Sequence, residues 1–202
     1  MVFITACWKK LTELGRGLLL ALMLLSGPVS AAVVEVTAAQ LEAVEDGFVL
    51  SADFAFELNQ RLEDAVNKGL VLHFLVEFEL TKTRWYWFDD KLLNRQMHLR
   101  LSYHALTRQF RVSTGGLHQS FPTLGEALRV LSRVRYWQVI DRQAMEGSGL
   151  KAGGHYLAAV RMKLDVSQLP KPFQIAAVGS RDWTLASEWK LWEFSLPVGE
   201  GR

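Results

Sequence analysis

From Leu70 to Leu80 the chain places Leu70, Leu72, Phe74, Val76, Phe78 and Leu80 on even positions, with His73, Glu77 and Glu79 on odd ones. A period of two belongs to a β-strand, whose successive side chains point to opposite faces, and not to a helix. The same even parity runs from Phe48 through Leu50, Ala52, Phe54 and Phe56 to Leu58. Parity then reverses, with Met97, Leu99, Leu101 and Tyr103 inward and His98, Arg100, Ser102 and His104 outward. A chain dominated by such half-buried strands has to pair them side by side and cover one face.

Tight turns join the strands. After a turn at Leu106 to Gln109, Phe110 and Val112 lead into Gly115-Gly116, a two-residue hairpin signal because glycines accept the positive φ such turns require. Pairing across it sets Phe110 opposite Phe121. Two short helices interrupt the pattern. Asn59 caps one, in which Leu62, Ala65 and Val66 share a face and Gly69 is the stop. Pro122 and Thr123 open the other, with Thr123 and Glu126 at capping-box spacing and a stripe of Leu124, Ala127, Leu128, Leu131 and Val134. A strand is expected at Tyr136 to Ile140, a mobile loop with four glycines at Glu146 to Gly154, and a further strand through Tyr156, Ala158, Val160, Met162 and Leu164. Leu169-Pro170-Lys171-Pro172 reads as an extended sheet edge. The last strand carries Trp183, Leu185, Trp189 and Leu191 on odd positions, then Trp192, Phe194 and Leu196 on even ones, which implies a bulge near Leu191. The expected class is mainly β: an antiparallel β-sandwich or strongly curved sheet with two short helices, with α+β as the fallback.

The first residues read as an address. Lys9, Lys10 and Arg16 precede an apolar run from Leu18 to Leu25, followed by Ser26, Gly27, Pro28 and small residues up to Ala32. That is the pattern of a secretory signal peptide over residues 1–32, ahead of one domain over 33–202. The alternative is an uncleaved anchor in the inner membrane. Cleavage removes three of the 23 basic residues and one of the 21 acidic ones, so that the two balance at 20 each, and it removes Cys7, the only cysteine. The exported chain is then uncharged overall, which disfavours nucleic acid as a partner, and it folds without disulfides.

Candidate chemistry concentrates in the stretch RWYWFDD, residues 84–90. At strand spacing Trp85 and Trp87 share a face. They are either core residues or, with Arg84 beside them, a stacking surface for a glycan or an apolar peptide. Asp89 and Asp90 are neighbours that would point to opposite faces, so they are poor glycosidase partners and natural turn residues. His98 and His104 share a face but stand about 20 Å apart at about 3.3 Å per residue, too far to hold one metal. No HxH or HExxH spacing occurs, and Ser148 lacks a nucleophile context. No catalytic residue, metal site or cofactor is therefore assigned. Trp183 and Trp189 are read as core, and Trp192 as partly exposed and a binding candidate.

The segments RWYWFDD, LRLSYHALTRQF, FPTLGEAL, VRMKLDVSQLPKPFQ and DWTLASEW, in that order, resemble the exported Gram-negative proteins grouped as domain-of-unknown-function family 4390. The resemblance implies export and a single domain, carries no activity or ligand, and suggests a membrane sensor kinase as a neighbour. The reading that follows is a periplasmic, non-enzymatic module that binds a cell-envelope protein through a sheet edge or an aromatic patch. The alternatives are a small-ligand or cell-wall glycan binder using Arg84, Trp85, Trp87 and Trp192, and an enzyme of unfamiliar type.

Overall fold

The structure is a computed structural model that describes residues 34–82 and 90–197. Among the described residues nine strands form two sheets, and every ladder between these strands is antiparallel. The small sheet has the order β1-β2-β7, from β1 (Glu35–Val44), β2 (Gly47–Ala55) and β7 (Arg133–Asp141). The large sheet has the order β6-β5-β4-β3-β8-β9. Its strands are β3 (Leu72–Lys82), β4 (Asp90–His104), β5 (Gln109–Thr114), β6 (Leu117–Phe121), β8 (His155–Leu164) and β9 (Lys190–Ser195). Four short α-helices accompany them among the described residues: α1 (Gln60–Asn67), α2 (Leu124–Leu131), α3 (Arg142–Gly147) and α4 (Lys171–Ala177).

Period-two sorting builds the interior. Leu72, Phe74, Val76, Phe78 and Leu80 of β3 are all fully buried, as are Ala158, Val160 and Met162 of β8 beside it. The small sheet lies against this face. Phe48 of β2 meets Phe194 of β9 edge to face at 5.1 Å, and Phe56 meets Phe74 at 5.8 Å. Both sheets and α1, α2 and α3 contribute to one continuous apolar core. The fold is thus mainly β, a sandwich of unequal sheets.

Helix ends follow local chemistry. Asn59 accepts a hydrogen bond from the Leu62 amide at 2.9 Å, and Gly69 closes α1 at φ +90°. Thr123 accepts from the Glu126 amide at 3.3 Å at the start of α2. Gly115 adopts φ +57°, and Phe110 pairs with Phe121 across the hairpin.

Several expectations are corrected. Strand β1, not foreseen, precedes Phe48 and turns into β2 at Glu45 and Asp46. The segment expected at Tyr136 to Ile140 extends over the whole of β7. Helices α3 and α4 add to the two expected. The loop at Glu146 to Gly154 begins inside α3, and its remainder is tied down. The Tyr156 hydroxyl accepts from the Lys151 amide at 2.7 Å, and Gly153 and Gly154 exchange backbone bonds with Leu196. Pro170 and Pro172 are no sheet edge, because they start α4; a helix's first turn leaves its N–H groups without partners, so proline loses nothing there. The final parity change falls between Ala186, which bridges Lys163, and Lys190, which pairs with Val160 one residue out of step. Trp189 sits in that offset and turns to the outer face of the large sheet, and Leu191 beyond it is exposed and not inward, whereas Trp183, in a single 3₁₀ turn, is core as expected.

Candidate functional site

Helices α1 and α4 and the 3₁₀ turn Arg181–Trp183 enclose an open groove of about 880 Å³, within the usual size of a binding cleft. Its position follows from α1's own capping residue. Asn59 uses its carbonyl oxygen to cap α1 and its amide nitrogen to donate to the Asp182 backbone carbonyl at 2.7 Å. Two residues further on, Arg61 reaches the Asp182 carboxylate at 3.3 Å. The two contacts moor α1 to a segment more than a hundred residues away.

The floor is apolar, formed by Ala65, Leu70, Phe173 and the buried Trp183, whose ring lies 5.5 Å from that of Phe173. The rim is charged with both signs. Arg61 and Asp182 neutralise each other, while Asp64 and Lys68 make no ion pair with another described residue. Beside the groove, α4 and its C-cap leave Ile175 74% and Val178 84% exposed. Full burial of such a side chain contributes about 1.5–3 kcal/mol, so this ridge forgoes a substantial gain while it faces water.

A second polar assembly occupies the outer face of the large sheet. Glu77, on β3 opposite Gln96 and Arg161, is only 6% exposed. The Arg161 Nε donates to it at 2.5 Å, Lys163 at 3.1 Å and Gln96 at 3.4 Å, and the Trp189 ring lies 4.4 Å from the Arg161 guanidinium carbon. Burial pushes the Glu77 carboxyl up, but the hydrogen bonds and charges of Arg161 and Lys163 outweigh it, and the pKa lies below the ordinary 4.5. Further along β3, burial and the Arg100 charge lower the pKa of His73 from 6.5, with His98 adding to them and Asp165 opposing. The Glu77 carboxylate is fully engaged by its own neighbours, so this cluster is structural.

Both groups bind fewer protons in the folded chain than in the unfolded one, so acid lowers stability through each. The His73 contribution is complete above about pH 6.5 and disappears as pH falls through its lower folded value. That of Glu77 is complete above about pH 4.5 and fades below it in the same manner. Glu77→Gln is expected to cost about 1–3 kcal/mol near neutral pH. The deficit should shrink on acidification, checked by urea titrations from pH 7 to about pH 3. A deficit constant with pH would contradict the assignment.

Of the sequence candidates, Arg84, Trp85 and Trp87 lie outside the described residues, as does Asp89. Trp192 is on β9, half-buried, with its ring 6.5 Å from that of Phe78; it packs on the core and is not part of the groove. His73, His118 and His155 stand on three different strands, and His104 and His155 contact Thr107 and Ser195 locally. Among the described residues no group of three His, Cys, Asp or Glu side chains could hold a metal ion, and no helix is long and apolar enough to cross a membrane. The groove residues Arg61, Phe173 and Asp182 were not singled out by sequence; the one local signal was the apolar run after Pro172.

No curated protein and no solved structure matches the chain significantly. The family described as Domain of unknown function (DUF4390) matches residues 31–193, most of the chain and all but the end of the two-sheet core. The chain belongs to that family.

Proposed function

We propose that the chain is an exported periplasmic, non-enzymatic module that takes an amphipathic helix of a cell-envelope protein into the groove between α1 and α4. The observation that carries this reading is the apolar floor of Phe173 and Trp183; the exposed Ile175 and Val178, on α4 and its C-cap, add apolar surface outside the groove lining. An exposed apolar patch rimmed by polar groups is the usual mark of an interaction surface. A groove between two helices suits a helix carrying apolar anchors on one face. Asp64 and Lys68 at the rim fit a partner with charges of both signs flanking its apolar stripe. The leader-like pattern over residues 1–32 supports export, and the family resemblance suggests the outer part of a membrane sensor kinase as the partner.

Ile175→Asp combined with Val178→Asp places two charges where side chains already face solvent, so folding should be unaffected. Cross-linking in intact cells is expected to recover an envelope protein with the wild-type chain and at least tenfold less of it with this variant. Equal recovery from a folded variant would remove the exposed α4 surface from the interface, equal recovery from a folded Phe173→Asp variant would remove the groove, and fractionation that left the protein in the cytoplasm would remove the periplasmic reading.

A further inference from the structure

We infer that β6 pairs with β6 of a second copy of this chain, joining two large sheets into one across a two-fold axis. The surface is separate from the groove and does not depend on its role. β6 ends the large sheet, and among the described residues no strand lies on its far side. The two-residue turn at Gly115 and Gly116 fixes which backbone groups are left over. Leu117, Gln119 and Phe121 exchange hydrogen bonds with β5, so the N–H and C=O groups of His118 and Ser120 point away from it.

Free edges normally carry charge, proline or a bulge that prevents pairing. At the other end of the sheet, β9 has Lys190 and Glu193. β6 reads LHQSF, with no charge, no proline and an unbroken register against β5. Antiparallel pairing centred on Gln119 sets His118 of one copy against Ser120 of the other, twice, which satisfies all four outward groups on each strand in four hydrogen bonds. The same register lays Leu117, 80% exposed, against the second copy's Phe121 on the inner face. A charged strand would repel itself on this axis, whereas an uncharged one with Leu and Phe at its ends complements itself. The small area places the dimer among weak, concentration-dependent ones.

Sedimentation equilibrium over a concentration series is expected to show a reversible monomer–dimer equilibrium. Gln119→Lys sets two ammonium groups side by side on the axis, and Ser120→Pro removes an outward N–H without disturbing β5. Each should weaken association at least tenfold while circular dichroism and thermal unfolding match the wild type. Cys7 is the chain's only cysteine, so Cys7→Ser with Gln119→Cys leaves one thiol at the axis, and this variant should form a disulfide dimer on mild oxidation. A wild-type chain monomeric throughout would overturn the inference. So would a dimer indifferent to both substitutions, or a thiol at 119 that captures an unrelated protein in preference to its own copy. Ile175→Asp with Val178→Asp should leave the association unchanged, which separates this result from that of the groove.

Discussion

Phe78→Ala is expected to lower the unfolding free energy by about 3–5 kcal/mol, the range found when a buried phenylalanine is truncated. Phe78 is fully buried at the centre of the large sheet, paired with Arg95 on β4 and Val160 on β8, and its ring faces that of Trp192. The cavity left has rigid walls, because the strands on both sides are held by continuous ladders and cannot close in. For a chain of this size the loss corresponds to a fall in Tm of roughly 6–20 °C. It is a large part of the 5–15 kcal/mol by which domains are usually stable. Thermal and urea unfolding followed by circular dichroism measure it directly. A loss below about 1 kcal/mol would show that Phe78 does not fill the core as described.

Gly47→Ala should be comparably damaging for a different reason. Gly47 opens β2 and pairs with Val44 of β1 on one side and Asp141 of β7 on the other. Its φ is +138°, and a Cβ there would lie 2.0 Å from the Ile140 carbonyl oxygen, a backbone atom without room to move. Left-handed strain costs about 1–3 kcal/mol and overpacking a similar amount, so a loss of at least about 3 kcal/mol is expected. Gly116→Ala is the matched control. A Cβ at Gly116 meets nothing within 4 Å, and that substitution should stay within about 0.5 kcal/mol of the wild type. Equal effects from the two glycines would contradict the close approach of β2 and β7.

The parts of this fold legible in the sequence were those set by local physics. Alternation at Leu72 to Leu80 named the buried face of β3, Gly115 and Gly116 fixed the register that brings Phe110 opposite Phe121, and Asn59 and Thr123 marked their helix starts. Strand β1 escaped because Glu35–Val44 is rich in Ala, Glu and Gln and Val36 is its only buried residue; it is a strand through its pairing with β2, not through its own pattern. Helix α4 escaped because a proline is equally at home in an extended edge and in a helix's first turn. Trp189 was misplaced because one offset residue near Ala186 inverts every later side chain. The groove was invisible for a deeper reason. Asn59 and Arg61 meet Asp182 across more than a hundred residues, and no spacing rule anticipates a contact that only the finished fold creates.

Oil alone cannot index β8 against β3. A slip of two residues would keep every greasy side chain on the correct side, so parity leaves several frames nearly degenerate. Glu77 breaks the tie. The observed frame sets Arg161 opposite the shielded carboxylate with Trp189 behind the guanidinium and Lys163 also in reach, and a slip of two residues would move Arg161 out of that place. An ion cluster on the outside of the sheet thereby selects the arrangement of the hydrocarbon inside it.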